Sequence, residues 1–123
     1  MRGGESVTTR IYENAEVRTS DGETRRYDKV EVRDGHVACI HDHPDAGIGD
    51  YVVIPEWNVG DVSVRISTND VDTTHASVTW VDEYDGPDDG KFMLLSSGWL
   101  RQIQLSDFVV DRPPHTYREV RFE

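Results

Sequence analysis

His41 and His43, with Asp45 two residues further on, form the densest set of potential metal ligands in this 123-residue chain. On an extended strand, residues two apart point to the same side, so both imidazoles would face one ion. Imidazole nitrogens suit zinc, copper, nickel or iron, and the Asp45 carboxylate supplies an oxygen donor. A catalytic metal keeps at least three protein ligands, so His75 or His115 would have to fold back to complete a working centre. Failing that, the segment reads as a polar loop.

Other combinations carry less chemistry. Asp82, Glu83, Asp85, Asp88 and Asp89 crowd one stretch, but without the alternating acids and central glycine of an EF-hand. Ser96, Ser97, His75 and His115 include nucleophile and base types, yet no nucleophile elbow surrounds either serine. No glycine-rich phosphate loop of the P-loop or dinucleotide type is present. The segment Gly35 to His43 is similar to the opening of the cupin metal motif, a glycine, five residues and then His-x-His. The similarity ends at Gly47 and Ile48, where a glutamate would be required. Nothing here favours an enzyme, and no cofactor is implied.

Arg18, Arg25, Arg26 and Arg33 cluster near the start of the chain, with Tyr27 among them. Guanidinium groups neutralise phosphates, so this is the candidate nucleic-acid surface. Each arginine also has an acidic neighbour, such as Glu16, Glu23, Asp28 or Asp34, and cross-strand ion pairing accounts for the pattern equally well. Among the tryptophans, Trp80 and Trp99 lie in apolar alternation and read as core anchors. Trp57 sits in a turn between Glu56 and Asn58 and is the candidate contact residue.

The elements that must position these groups read as strands. Turn signals recur about every ten residues, with short β-rich runs between them, the rhythm of a β-sandwich or barrel. Val7 to Tyr12 is a first strand. Glu16 to Ser20 leads into Asp21-Gly22, and Asp34-Gly35 makes a second tight turn. A β-meander is therefore expected from about residue 15 to residue 41. Tyr51 to Ile54 is apolar on both faces and predicts a central buried strand. Pro55 ends it, and Glu56 to Gly60 predicts one turn of 3₁₀ helix. Val62, Val64 and Ile66 alternate with polar residues as a half-buried strand. Ala76, Val78 and Trp80 share a strand face, Phe92 to Leu95 returns beside them, and Tyr117 to Phe122 is terminal. Trp99 to Leu105 reads as a strand, with a short helix over residues 99–108 as the alternative.

The strand order and the stretch Val52-Val53-Ile54-Pro55-Glu56-Trp57-Asn58-Val59 resemble small five-stranded barrels of the SH3-like or PRC-barrel kind over residues 7–67. The resemblance implies architecture only, because such folds host many functions. The expected fold is all-β: a small barrel or sandwich of about eight or nine short antiparallel strands, with at most one short helix. One domain over residues 1–123 is expected, with a sub-boundary at 68–74 between an N-terminal barrel and a C-terminal hairpin unit.

The solvent-facing composition is extreme. Formal net charge is −11, with 24 acidic against 13 basic residues, and only two of the bases are lysines. In molar salt the Debye length is roughly 3 Å, so neighbouring carboxylates hardly repel. Hydrated carboxylates keep such a chain dissolved, and the composition fits the cytoplasm of a halophilic archaeon or a virus of one. The charge is uneven: residues 41–90 hold Arg65 against 12 acids, while the flanking thirds are nearly neutral. Cys39, the lone cysteine, lies in an apolar run and reads as a core residue. No uninterrupted apolar run exceeds four residues, too short to cross a membrane. Met1 to Glu5 shows no signal-peptide core, so the expected location is cytoplasmic, or within a virion. The reading that follows is a structural or adaptor β domain acting by protein contact or self-association. Metal binding through His41 and His43 is the second class, and nucleic-acid binding the third.

Overall fold

Two Asp-Gly pairs fold the first third of the chain back on itself, because a positive φ brings glycine no Cβ clash. In the computed structural model, which describes residues 9–43, 48–66, 74–82, 86–105 and 108–123, Gly22 and Gly35 lie at φ 90° and 87°. They join β1 (Arg10–Thr19), β2 (Thr24–Arg33) and β3 (His36–His43) into a meander. The second turn is the two-residue hairpin that its sequence predicts. The first is wider: the Thr19 N–H donates to the Glu23 carbonyl and the Gly22 N–H to the Thr19 carbonyl, both at 2.9 Å.

The chain continues through β4 (Ile48–Pro55), a 3₁₀ turn at Glu56–Asn58, β5 (Val59–Arg65), β6 (Thr74–Trp80) and β7 (Asp88–Leu94). After a 3₁₀ turn at Ser96–Gly98 come β8 (Leu100–Leu105) and β9 (Phe108–Arg112). A last 3₁₀ turn at Pro114–Thr116 leads to β10 (Tyr117–Phe122). The protein is all-β: the described residues form ten antiparallel strands in one sheet, ordered β10-β6-β7-β8-β9-β5-β1-β2-β3-β4. That exceeds the eight or nine strands expected from turn spacing. The ladder is open at β10 and β4, so no described pairing closes a barrel. Among the described residues no helix is long and apolar enough to cross a membrane.

Two local readings change. The runs 7–12 and 16–20 are not two strands; residues 10–19 form one, bent at Asn14, whose φ is 55°. Asparagine tolerates this left-handed conformation better than most residues. The inward side changes across the bend, from Tyr12 to Ala15 and Val17. The strand expected over Trp99 to Leu105 is kept, as β8 paired antiparallel with β9, in place of its helical alternative; residues 106–107 lie outside the described residues. Most consequentially, the stretch Tyr51 to Ile54 is not central. It lies in β4, at the sheet's end, with Val52 and Ile54 turned to the core and Tyr51 and Val53 turned out.

Side-chain alternation produces two cores. The larger joins Tyr12, Val17, Tyr27, Val30, Val32, Val37, Cys39, Ile54, Val59, Val62 and Val64 with Trp99 and Val109. The smaller joins Ala76, Val78, Trp80, Phe92 and Leu100. Neighbouring residues Trp99 and Leu100 enter different cores, so the β7–β8 turn links them. Each fully buried large side chain, such as Phe92 or Trp99, contributes roughly 2–3 kcal/mol of hydrophobic stabilisation. Residues 67–73, and with them most of the expected sub-boundary, lie outside the described residues.

Candidate functional site

The two ends of the sheet differ in kind. β10 carries Arg118, Glu119 and Arg121, with Arg121 Nε donating to Glu119 at 2.6 Å. Charges of this sort blunt an edge against pairing with another strand. β4 instead presents Tyr51 and Val53, which are 63% and 52% exposed.

The strand register sets buried Ala38 and half-buried Ile40 beside this pair, and charged Glu31 and Lys29 beyond them. Ile11, Glu31, Ala38 and Val53 form one cross-strand row over β1 to β4, and Glu13, Lys29, Ile40 and Tyr51 form the next. Ile11 is also exposed. Glu31 sits between Lys29 and Arg33, and the Arg33 hydrogen bond holds its carboxyl below the usual range. The outer face thus ends in the exposed apolar pair Tyr51 and Val53, separated from Ile11 by the Lys29–Glu31–Arg33 ionic cluster, at an edge to which no described strand pairs.

The potential metal ligands do not assemble among the described residues. His41 lies on β3, on the same side as Val37 and Cys39. Its ring meets Tyr27 edge-on, with centroids 6.4 Å apart, and Nδ1 is 3.8 Å from Asp28 Oδ2. His43 continues the strand opposite Ile48; its side chain and all of Asp45 lie outside the described residues. No group of three or more His, Cys, Asp or Glu among the described residues could hold a metal ion.

The arginines of the first hairpins each engage a carboxylate. Arg18 pairs with Asp61, Arg25 with Glu23 at 3.5 Å, Arg26 with Glu16 at 3.1 Å, and Arg33 with Glu31. Tyr27 is buried, so it offers no stacking face to a base. Of the serine and histidine groups, His75 Nδ1 lies 3.2 Å from Glu123 and Ser96 accepts from Arg10. Trp57 is 71% exposed on the 3₁₀ turn after β4, at the rim of a cleft of about 630 Å³.

Several residues acquire roles that no motif announces. Asp111 is fully buried between Arg101 and Tyr12. Asp61, buried in β5, accepts from Arg18 and from the Ser63 hydroxyl. The only sequence signal for either is a carboxylate interrupting an apolar run, Val109-Val110-Asp111 or Asp61 before Val62. His115 Nε2 lies 2.9 Å from the carbonyls of both Glu56 and Val59. Two carbonyl acceptors assign the proton to Nε2. Trp99 Nε1 donates to Glu56 Oε1 at 3.2 Å, and Arg10 lies over the Trp99 ring at 5.4 Å. The Glu56–Asn58 turn, which carries Trp57, is therefore held from two sides.

Comparison with protein-family models, curated proteins and solved structures gives no significant match.

Proposed function

We propose that this protein is a non-enzymatic structural or adaptor module that acts by protein contact, through the free edge and outer face of β4, and that the occupant of that edge is a second copy of the chain. The exposed pair Tyr51 and Val53 carries the reading. A two-fold axis at Val52 lays β4 antiparallel against its copy, with Tyr51 opposite the copy's Val53. It is the symmetric register in which both exposed residues gain an apolar partner, and such cross-strand pairs stabilise a sheet by roughly 0.2–1 kcal/mol each. Edge-to-edge pairing also satisfies backbone groups that otherwise face water. The opposite edge, with its three charged residues, is poorly suited to this.

Acid-rich composition fits the same account. Two copies of net charge −11 repel in dilute buffer, whereas at molar salt repulsion beyond about 3 Å is screened. We read the acidic surface as adaptation to brine, in a halophilic archaeon or its virus.

Light scattering coupled to gel filtration in about 2 M KCl tests the proposal. A dimer is expected for the native chain and a monomer for Val53→Lys, with unchanged far-ultraviolet dichroism. A native monomer, or a Val53→Lys dimer as tight as the native one, overturns it.

A further inference from the structure

The cleft beside Trp57 has a lining that points to a ligand of definite chemistry. It lies between the β1–β2 turn and strands β6, β8 and β9, and no β4 residue borders it. Its volume of about 630 Å³ falls within the roughly 300–1,000 Å³ of small-molecule sites. Arg18 and Arg112 line it, and so do Asp82 and Asp88, so its walls carry no net formal charge. Arg18 is in addition paired with buried Asp61. A phosphate or carboxylate ligand would meet one cation already paired with a carboxylate, in a cleft whose formal charges sum to zero.

The polar groups are set before any ligand arrives. The Arg112 guanidinium lies over the Trp80 ring, 4.6 Å from its centroid, and donates to Gln102 Oε1. Gln104 Nε2 donates to the same oxygen at 3.0 Å, and Trp80 Nε1 donates to Asp88 at 2.5 Å. Held rotamers reduce the ordering cost of binding. Trp80 is spent as a platform, because Arg112 covers its ring and Phe92 packs 6.2 Å away. Trp57 is different: it is well exposed, and no aromatic or cationic group covers its ring among the described residues.

We propose that this cleft binds a neutral saccharide, with one sugar ring seated on the Trp57 indole and its hydroxyls on Gln102, Gln104, Arg112 and Asp82. With Gln102 Oε1 taken by Arg112 and Gln104, the Gln102 amide offers its N–H donors, and the Arg112 guanidinium and Asp82 carboxylate offer paired donors and acceptors that match adjacent hydroxyls. The C–H face of a pyranose supplies the apolar area an indole accepts. A nucleobase edge also presents paired donors and acceptors to amide and guanidinium groups, so adenosine is the competing probe in the test. Binding of an uncharged ligand by hydrogen bonds and stacking also survives molar salt, where charge recognition is screened.

Tryptophan fluorescence and saturation-transfer NMR on the full chain in about 2 M KCl test this. The probes are neutral trisaccharides of hexose, N-acetylhexosamine and deoxyhexose units, raised to about 10 mM so that a millimolar Kd is saturated. At least one trisaccharide should bind saturably, and affinity should fall tenfold or more in Trp57→Ala and Gln102→Ala. If Gln102→Ala disturbs the fold, Gln104→Ala, at an exposed position, replaces it. Absence of saturable binding by every trisaccharide overturns the proposal. So does undiminished affinity in Trp57→Ala, or a response confined to adenosine or inorganic phosphate titrated in parallel. Because β4 does not border the cleft, Val53→Lys should bind the sugar as the native chain does, which separates this result from that of the dimer test.

Discussion

The Tyr12 hydroxyl donates to Oδ2 of Asp111, joining β1 to β9 across 99 residues of chain. Arg101 grips the same carboxylate through Nε and Nη2, both at 2.8 Å. Its Nη2 also reaches the Tyr12 oxygen at 3.3 Å. A carboxylate with no exposed surface is tolerable only when it is paired and hydrogen-bonded in this way.

Removing Asp111 should therefore cost more than its own contacts. Asp111→Ala leaves the Arg101 side chain, 12% exposed, without a counter-charge. Breaking one partner of such a pair costs about 3–5 kcal/mol, whereas replacing both by apolar groups is often neutral. Urea unfolding at fixed KCl should show this loss for Asp111→Ala and recovery of most of it in Arg101→Met/Asp111→Leu. A loss below about 1 kcal/mol in the single variant would mean that water reaches the site.

Alkaline pH should weaken the fold. Burial, reinforced by the Asp111 charge and hydrogen bond, pushes the Tyr12 hydroxyl from 10.0 up to about 12. Burial alone pushes the Cys39 thiol from 9.0 up to about 11. In each case the folded state favours the neutral form. The stabilisation is present below the unfolded pKa and is lost as pH rises through the folded one. The urea midpoint should fall progressively between pH 9 and 12, the span of these shifts. Tyr12→Phe should flatten the upper part of the decline and Cys39→Ala the lower. A native midpoint constant across this window contradicts the expectation.

Two tryptophans should respond oppositely to truncation. Trp99 is fully buried, with Arg10 over its ring and Glu56 on its indole N–H. Trp99→Ala should cost about 3–5 kcal/mol. Trp57→Ala should stay within about 0.5 kcal/mol, as exposed positions do. Equal losses in urea unfolding would place Trp57 in a packing role instead.

Salt should act on the whole surface. Lowering KCl from about 1 M to about 0.01 M stretches the Debye length from roughly 3 Å to roughly 30 Å. Acidic groups outnumber basic ones by 24 to 13, so the urea midpoint at pH 7 should fall with the salt. Identical midpoints at both concentrations would remove the brine-adaptation reading.

Much of the secondary structure is legible in the amino-acid order. Asp34-Gly35 turns where its dipeptide says, Ala76, Val78 and Trp80 share a buried face, and Glu56–Asn58 makes its 3₁₀ turn. The candidate contact strip is not legible in the same way. Tyr51-Val52-Val53-Ile54 carries the signature of a strand covered on both sides, and that signature is identical whether the cover comes from the same chain or from none. The cleft is harder still, because Trp57, Gln102 and Arg112 come from three separate segments.

Alternating polarity and glycine turns are local, period-two information, and they sufficed for an all-β chain with an acid-rich exterior. Pairings between distant segments are not local. Nothing near Tyr12 names Asp111, nothing near His115 names Glu56, and nothing in β4 says that no described strand will pair with its far side. Packing chose those partners, since a buried carboxylate must find a cation and a strand's outer face is defined by whichever strand lies beside it.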